Sequence, residues 1–210
     1  MPPRTPSPVV AGVLLAGGQS RRMGGGDKTL RLLGGRPILA HVIERARPQV
    51  AALALNANGD PARFRAFGLP VVADGVADFA GPLAGILAGL DWMAEALPTA
   101  THLASFATDA PFLPRDLVAR LVAALVDGRF DIACAASGGR AHPVFAVWPL
   151  SLREALRHAL REEDIRKVDR FTASYRLATV EFVSDAVDPF FNANRPEDLE
   201  TAEQLLTRAR

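Results

Sequence analysis

Cations and glycines cluster directly after the first apolar run of the chain. The run ends at Leu15, and the segment 17–28 then holds Gly17-Gly18, Gly24-Gly25-Gly26 and the cations Arg21, Arg22 and Lys28. Glycine lets the backbone adopt positive φ and approach a ligand closely. A buried strand that leads into a glycine-rich basic loop is how α/β proteins hold phosphate groups. The segment therefore predicts a phosphate site.

Lys28 is unusual for its residue type. The chain has 24 Lys plus Arg, and only Lys28 and Lys167 are Lys. A lysine in this loop indicates a need for a compact ammonium rather than a planar guanidinium. The loop is not a P-loop, because Asp27 rather than Gly precedes Lys28. It is not a dinucleotide fingerprint either, because 29–36 predicts a short strand and turn, with the helix starting only near Pro37.

Polar side chains follow three further apolar runs, namely Asn56, Asp74 and Asp109. Ligands of open α/β sheets bind beyond the carboxyl ends of the parallel strands, so these side chains could form one rim with the glycine loop. A carboxylate beside a phosphate group is unfavourable unless a cation lies between them, and Mg²⁺ takes one or two carboxylates plus phosphate oxygens. Alternatively, Asp109 could cap the helix after Pro114, Asp74 could be a turn residue and Asn56 an Asx-turn.

The run L-A-G-G-x-S-x-R-M-G-x-x-D-K, from Leu15 to Lys28, resembles the signature of nucleotidyltransferases that build nucleoside-diphosphate products. It is most similar to the molybdenum cofactor guanylyltransferases, which carry Gly-Gly at the positions of Gly17 and Gly18, where the related cytidylyltransferases usually carry Ala-Gly. Gly81-Pro82-Leu83-Ala84-Gly85 matches a second family motif, and the resemblance extends from Val13 to about Leu206.

The resemblance implies a role for each matching residue on the nucleotide side. It implies catalytic roles for Lys28, Arg22 and Asp109, with Asp109 as the ligand of Mg²⁺. It implies nucleotide contacts at Leu15, Ala16, Gly17, Gly18, Lys28, Asn56, Asp74, Gly85 and Asp109.

Three later segments resemble the family's second-substrate side. Arg140-Ala141-His142-Pro143 matches an Arg-x-His-Pro element, and Arg166-Lys167 matches basic residues that face a pterin phosphate. Asn192-Ala193-Asn194-Arg195-Pro196 matches Asn-x-Asn-Thr-Pro, with Arg195 in place of Thr. The simpler interpretations are a surface histidine, a solvated basic pair and, for Asn194, a cap of the last helix.

The activity implied is transfer of GMP from GTP to the terminal phosphate of molybdenum-molybdopterin, which releases pyrophosphate. The substrates would be the partners, with molybdoenzyme-delivery proteins as further candidates and a monomer or weak oligomer as the assembly. The nearest alternative is a cytidylyltransferase for the same cofactor, and a sugar-phosphate nucleotidyltransferase is less favoured. From another class, a non-catalytic nucleotide-binding chaperone of molybdoenzymes would lack Lys28 or Asp109, and both are present.

Composition predicts one globular domain without a nucleic-acid or membrane partner. The chain has 210 residues, 49% hydrophobic residues and a net charge of +1. The lone Cys134 cannot form an internal disulfide, which fits a cytoplasmic location. The Pro-rich residues 1–8 have no apolar core for a signal peptide and predict a flexible leader before a single domain at 9–210. The resemblance implies that its first half binds the nucleotide and its second half the molybdopterin.

Short apolar runs alternate with amphipathic segments, which predicts a largely parallel sheet with right-handed crossovers. We expect an α/β, three-layer, Rossmann-like domain, and the resemblance implies the fold of the nucleotide-diphospho-sugar transferases. The predicted strands are 9–15, 50–56, 69–73, 102–107, 131–136, 143–148 and 176–183. The predicted helices start at 37, 60, 81, 114, 151 and 196.

Overall fold

A computed structural model describes residues 8–16, 27–76, 81–126, 128–183, 187–193 and 196–208. The strands are β1 (Val10–Leu15), β2 (Leu32–Leu33), β3 (Arg36–Pro37), β4 (Leu53–Asn56), β5 (Val71–Val72), β6 (His102–Ala107), β7 (Ile132–Ser137), β8 (Arg140–Pro149) and β9 (Leu177–Glu181). The α-helices are α1 (Ile38–Ala46), α2 (Pro82–Ala96), α3 (Leu117–Leu125), α4 (Arg153–Arg161), α5 (Val168–Thr172) and α6 (Pro196–Arg208). Short 3₁₀ turns cover Lys28–Leu30, Arg47–Gln49, Pro61–Phe67 and Leu150–Leu152.

Seven strands form the central sheet in the order β5-β4-β1-β6-β8-β7-β9. The pairs β5-β4, β4-β1, β1-β6 and β7-β9 are parallel, whereas β8 is antiparallel to both of its neighbours. Six strands of this sheet therefore share one direction, which confirms the predicted mostly parallel sheet. The chain moves outward from β1 to β4 and β5 and then returns to the other side of β1 as β6. The carboxyl ends of β1 and β6 consequently flank a topological switch point.

Side chains of β1 alternate between two cores, as a pleated strand requires. Val10 and Leu14 face one core, which α1, α3 and α6 cover. Ala11 and Val13 face the other, which α2, α4 and α5 cover. The result is the expected three-layer α/β domain.

The first residues of helix α2 are typical of a helix N-terminus. Gly81 is its N-cap and Pro82 its first residue, where the missing N–H and the fixed φ of proline are favourable. Nine of its fifteen residues are buried, because it packs against both the sheet and α4. The packing fixes the N-terminus of α2 at the carboxyl edge of the strands.

Several predicted boundaries differ from the structure. The strand expected over 69–73 is reduced to Val71–Val72 at the edge of the sheet, where β4 is its one partner in the sheet order. The helix expected from Pro114 starts at Leu117, whose amide bonds to the Pro114 carbonyl in a preceding turn. Helix α5 was not predicted, because five residues carry too little periodicity to identify.

Residues 29–36 contain the expected short strand and turn. Strands β2 and β3 pair through a turn at Gly34 and Gly35, both with positive φ. Thr29 and Leu30, however, belong to the 3₁₀ turn that starts at Lys28. The predicted leader lies outside the described residues apart from Pro8, and so do 17–26 of the glycine loop. No helix among the described residues is long and apolar enough to span a membrane.

Candidate functional site

The site is built on the neighbouring ends of β4, β1 and β6. Leu15 of β1 is in register with Asn56 on one side and Ala107 on the other. The Thr108 hydroxyl donates to the Leu15 carbonyl at 3.1 Å and fixes the turn after β6. The Ala16 amide donates to the Asn56 carbonyl at 2.9 Å. Asn56, Leu15, Ala16 and Asp109 are thereby brought to one edge.

Lys28 and Asp109 meet at the switch point. The Nζ atom of Lys28 lies 2.8 Å from Oδ2 of Asp109, although the two residues are 81 positions apart in the chain. Their side chains are only 15% and 24% exposed. Interactions between charges strengthen when solvent is partly excluded, so this pair can act on an anion placed beside it. Both residues therefore lie on the rim at the strand ends that the sequence suggested, while their catalytic roles stay a prediction.

Asp27, directly before Lys28, turns to a different partner. Its carboxylate forms an ion pair with Arg63 of the 3₁₀ turn Pro61–Phe67. The same guanidinium donates to the Asn58 and Asp60 carbonyls at 2.6 and 2.7 Å. Asp27 therefore connects the start of the 3₁₀ turn Lys28–Leu30 to the turn that holds Arg63. Lys28 connects it to the turn after β6, which holds Asp109.

A second polar cluster joins Asn56, Asn58 and Asp74. The Asn56 amide donates to Asp74 Oδ1 at 2.9 Å and to the Val72 carbonyl at 3.2 Å, and the Asn58 amide donates to Asp74 Oδ2 at 2.7 Å. The Asp74 amide donates back to Asn58 Oδ1 at 2.9 Å. Asn56 is not the Asx-turn that local sequence allowed, because its side chain crosses to the next strand. Asp74 is a held carboxylate rather than a simple turn residue.

Gly85 allows the first turn of α2 to approach this cluster. A Cβ at position 85 would lie 2.3 Å from Asn56 Oδ1 and 2.7 Å from Leu15 Cδ2. Neither neighbour can move freely, since Asn56 is 3% exposed and is held by two hydrogen bonds. Glycine at position 85 thus brings a helix N-terminus, with its free amides, beside Asn56.

His142 lies on β8, next to the end of β7. Its Nε2 is 2.7 Å from the Ser137 hydroxyl, which donates to Asp188 Oδ1 at 2.8 Å. The ring packs on Phe190, with centroids 4.7 Å apart. Burial lowers the pKa of His142 below its usual value, with Asp188 and Glu181 raising it and Arg140 lowering it. His142 is therefore not the unattached surface histidine that was considered as an alternative.

The segment 188–193 connects the His142 side to Asp109. The Asp188 carboxylate accepts the Phe190 amide at 2.9 Å, and the Ala193 amide donates to the Asp109 carbonyl at 2.9 Å. Asn192, which is exposed, lies next to that last bond. Asn192 is thus held at the same edge as Asp109.

Arg166 and Lys167 lie directly before α5, with the Arg166 backbone near the N-terminus of α2. The Arg166 carbonyl would be 3.4 Å from a Cβ placed at Gly81, the N-cap of α2, and its guanidinium donates to Asp164 at 2.8 Å. Lys167 is the N-cap of α5. Arg140 is exposed and opposes Ser137 at the start of β8. Four predicted site residues lie outside the described residues, namely Gly17, Gly18, Arg22 and Asn194.

The helix-cap alternative for Asp109 is wrong for a physical reason. Helix α3 starts at Leu117, eight positions later, and the side chain of Asp109 is directed to Lys28 instead.

Three residues of the site were missed from the sequence, namely Asn58, Ser137 and Asp188. Asn58 and Ser137 belong to turn-forming runs, and Asp188 precedes a proline. The sequence around each of them therefore indicates only an ordinary turn.

Comparison with known proteins decides the family. The sequence profile described as the MobA-like NTP transferase domain matches residues 12–179, which include Lys28, Asn56, Asp109 and His142. The chain belongs to the MobA-like NTP transferase family. The resemblance identified from the glycine loop is confirmed, and with it the nucleotidyltransferase class.

Two relatives of this MobA-like chain match almost its whole length, and more than half of the aligned residues are identical. The molybdenum cofactor guanylyltransferase of Bradyrhizobium sp. (strain ORS 278) is 63% identical over 196 residues, which cover 93% of this chain and 92% of the relative. The molybdenum cofactor guanylyltransferase of Rhodopseudomonas palustris (strain HaA2) is 59% identical over 201 residues, which cover 96% and 94%.

A solved structure shows the same fold. Molybdopterin-guanine dinucleotide biosynthesis protein A from Archaeoglobus fulgidus superposes with a TM-score of 0.74 and 22% identity, over 94% of this chain and 99% of its own. At this identity the likeness concerns the fold alone. It confirms the α/β fold class predicted for this MobA-like chain.

Proposed function

We propose that this chain transfers GMP from GTP to the terminal phosphate of molybdenum-molybdopterin, forming the guanine dinucleotide cofactor and pyrophosphate. The names of the two relatives support this activity, since each is a molybdenum cofactor guanylyltransferase at more than half identity over almost the whole chain. The single structural observation that carries it is the contact between Lys28 and Asp109 at the switch point. Phosphate groups bind at such a point in open α/β sheets.

The reaction needs no general base from the protein. A phosphate monoester is mostly a dianion at neutral pH, since its second pKa is about 6. One of its oxygens bonds to the α-phosphorus of GTP, the bond from that phosphorus to the bridging oxygen breaks, and pyrophosphate leaves with the electron pair. The protein has to hold two anions together and stabilise the growing charge, which is the task of a positioned cation such as Lys28.

The nucleotide would lie along β1, β4 and the start of α2. We assign contacts to Leu15, Ala16, Asn56, Asp74 and Gly85, together with Gly17, Gly18 and Arg22 of the glycine loop. The Asn56–Asp74 pair supports this assignment because its two side chains hold each other in place at the strand ends. The amides at the N-terminus of α2 favour polar or anionic groups.

The second substrate would lie toward β7 and β8. We assign this side to Arg140, His142, Asn192 and Asn194, and also to Arg166, whose carbonyl lies near the N-cap of α2, and Lys167, the N-cap of α5. The bond from the Ala193 amide to the Asp109 carbonyl supports the assignment, because it places Asn192 next to the residue that would face the phosphates.

Asp109 also fits the ligand of a magnesium ion. Within the described residues no group of three or more His, Cys, Asp or Glu side chains could hold a metal. Mg²⁺ does not need such a group, because one carboxylate, phosphate oxygens and water complete its shell. The ion would neutralise charge on the triphosphate, while Lys28 donates to the phosphates.

We place the reaction in the cytoplasm, which the buried free thiol of Cys134 supports.

The test is a comparison of four nucleoside triphosphates. Purified protein is incubated with Mg²⁺, molybdenum-molybdopterin and GTP, CTP, ATP or UTP, and the product is identified by mass spectrometry. We expect the guanine dinucleotide with pyrophosphate release, and far less product with CTP. Equal or better use of CTP would support a cytidylyltransferase. Binding of GTP without any transfer would support a non-catalytic chaperone.

A further inference from the structure

Two residues of the site have no assigned substrate contact: Ser137, which contacts His142, and Asp188, which accepts from Ser137. We propose that Ser137 and Asp188 are positioning residues that fix the His142 ring as an Nε2–H donor, so that Nδ1 is presented as a hydrogen-bond acceptor to the second substrate. The inference rests on the proposed function, since it assigns that substrate to the His142 side. Ser137 and Asp188 belong neither to the glycine loop nor to the Arg-x-His-Pro element.

Counting hydrogens determines the tautomer. An ionised Asp188 can only accept, so the hydrogen between it and Ser137 belongs to the serine hydroxyl. That hydroxyl has no second hydrogen, so the bond of 2.7 Å to His142 requires Nε2 to donate. In a neutral imidazole, Nδ1 then carries a lone pair. Among the described residues Nδ1 has no hydrogen-bond partner.

The strands explain why these groups meet. His142 is in register with Ala135 of β7, and Ser137 lies two residues further along the same face of that strand. The pairing shifts between Cys134 and Ala135, where Cys134 faces Ala146, so residues 143–145 of β8 form an irregularity. The Ser105 hydroxyl donates to the Val144 carbonyl at 2.6 Å and holds that irregularity. His142 is consequently fixed at its backbone as well as at its ring.

The surroundings favour the neutral ring that the inference needs. The ring packs on Phe190, and burial is the largest influence on its pKa, which is lowered. Three charged groups act on the pKa of His142. They are Asp188 in the segment 188–193, Glu181 at the end of β9 and Arg140 at the start of β8. Asp188 and Glu181 favour the charged ring and Arg140 opposes it, and burial, the largest influence, leaves the pKa of His142 lowered.

Asp188 has a second task on the same oxygen. Its Oδ1 accepts both the Ser137 hydroxyl and the Phe190 amide. One carboxylate therefore orients the imidazole and anchors the segment that carries Asn192. His142 and Asn192, two candidate contacts for the second substrate, therefore both depend on Asp188. This gives the Asp188 carboxylate a structural role on the second-substrate side.

The experiment first measures the tautomer without substrates. Long-range ¹H–¹⁵N spectra of the full chain distinguish Nε2–H from Nδ1–H, and a His142→Asn variant assigns the signal among the four histidines. We expect a single Nε2–H tautomer in the wild type. Ser137→Ala should give a mixture, while Asp188→Asn should keep the tautomer, because an amide oxygen still accepts both bonds. Ser174→Ala, at an exposed serine near α5, is the matched control.

Steady-state kinetics then follow the same variants. Loss of one oriented hydrogen bond should raise KM for molybdenum-molybdopterin roughly tenfold in Ser137→Ala, while KM for GTP and kcat change little. Asp188→Asn should stay close to the wild type. A retained single tautomer or an unchanged KM for molybdenum-molybdopterin in Ser137→Ala overturns the inference, as does an equal loss for both substrates. If the wild type transfers no GMP, the proposed function fails and takes the inference with it, even when the tautomer is as expected.

Discussion

At the scale of single residues, the Lys28–Asp109 pair carries most of the proposed chemistry. Both side chains are largely removed from water and lie 2.8 Å apart. A lysine has three donors, so contact with a carboxylate does not use up its capacity for phosphate oxygens. The pair can therefore stay together when an anion binds beside it.

Replacing Lys28 separates catalysis from binding. We expect Lys28→Ala to lower the rate at saturating GTP by on the order of a hundredfold, because a positioned cation acts most strongly on the charge that grows in the transition state. Lys28→Arg should rescue poorly, since a planar fork does not fit where a compact ammonium pairs with Asp109. Single-turnover kinetics beside GTP titration measure both effects. Arg36→Ala, at an exposed residue paired with Glu44, is the control, and an unchanged saturating rate in Lys28→Ala would make Lys28 a docking residue.

Replacing Asp109 tests the metal. Asp109→Asn keeps the side-chain shape and should require at least roughly tenfold more Mg²⁺ for half-maximal rate, since loss of even an outer-shell partner typically costs that much. The measurement is rate against Mg²⁺ concentration, with circular dichroism as the check of folding. Asp116→Asn is the matched control, because that carboxylate is exposed and makes no cap bond at α3. Near-normal rates for Asp109→Asn at limiting Mg²⁺ would reject the ligand.

At the scale of elements, the strand ends decide which residues meet. Residue types and positions after apolar runs were enough to predict the fold class and a rim at the strand ends that holds Asp109, but not the direct contact of Lys28 with Asp109. Asn58, Ser137 and Asp188 could not be predicted, because their partners are 16, 5 and 51 positions away in pairings that only the folded sheet creates. The extent of β8 was also underestimated, since its first three residues depend on pairing with β7 rather than on their own polarity.

Two glycines of α2 offer a matched pair of substitutions. A Cβ at Gly89 would lie 2.9 Å from Leu103 and from Val13, a crowding similar to that at Gly85 but deeper in the core. Both Gly85→Ala and Gly89→Ala should lose about 1–3 kcal/mol of unfolding free energy through overpacking. Only Gly85→Ala should also raise KM for GTP severalfold, because it displaces Asn56. Equal KM values in the two variants would remove Gly85 from the nucleotide site.

At the scale of the whole molecule, two half-buried histidines link stability to pH. Burial lowers the pKa of both His102 and His142. The unfolded chain therefore binds more protons than the folded chain once the pH falls below the ordinary histidine value of about 6.5. Stability should be full above that value and decline as the pH falls toward the lowered folded-state pKa values.

Urea unfolding at pH 7.5 and 5.5 measures this linkage, because both pH values lie above the ordinary carboxylate pKa of about 4. We expect a lower midpoint at pH 5.5 for the wild type and a smaller difference for the double variant His102→Asn/His142→Asn. Asp131, whose pKa Arg176 lowers to about 2, should contribute to acid unfolding only at much lower pH. Equal midpoints at both pH values in the wild type would contradict the prediction.

One backbone bond gives the molecule a built-in reporter. The amide of Ala193 donates to the carbonyl of Asp109, the residue whose side chain pairs with Lys28. Amide hydrogen exchange at Ala193 therefore requires the 188–193 segment to separate from the turn after β6. GTP with Mg²⁺, by holding that turn, should slow exchange at Ala193 before any second substrate is present. Such a result would mean that the nucleotide stabilises the segment that carries Asn192, so that binding of the two substrates is coupled.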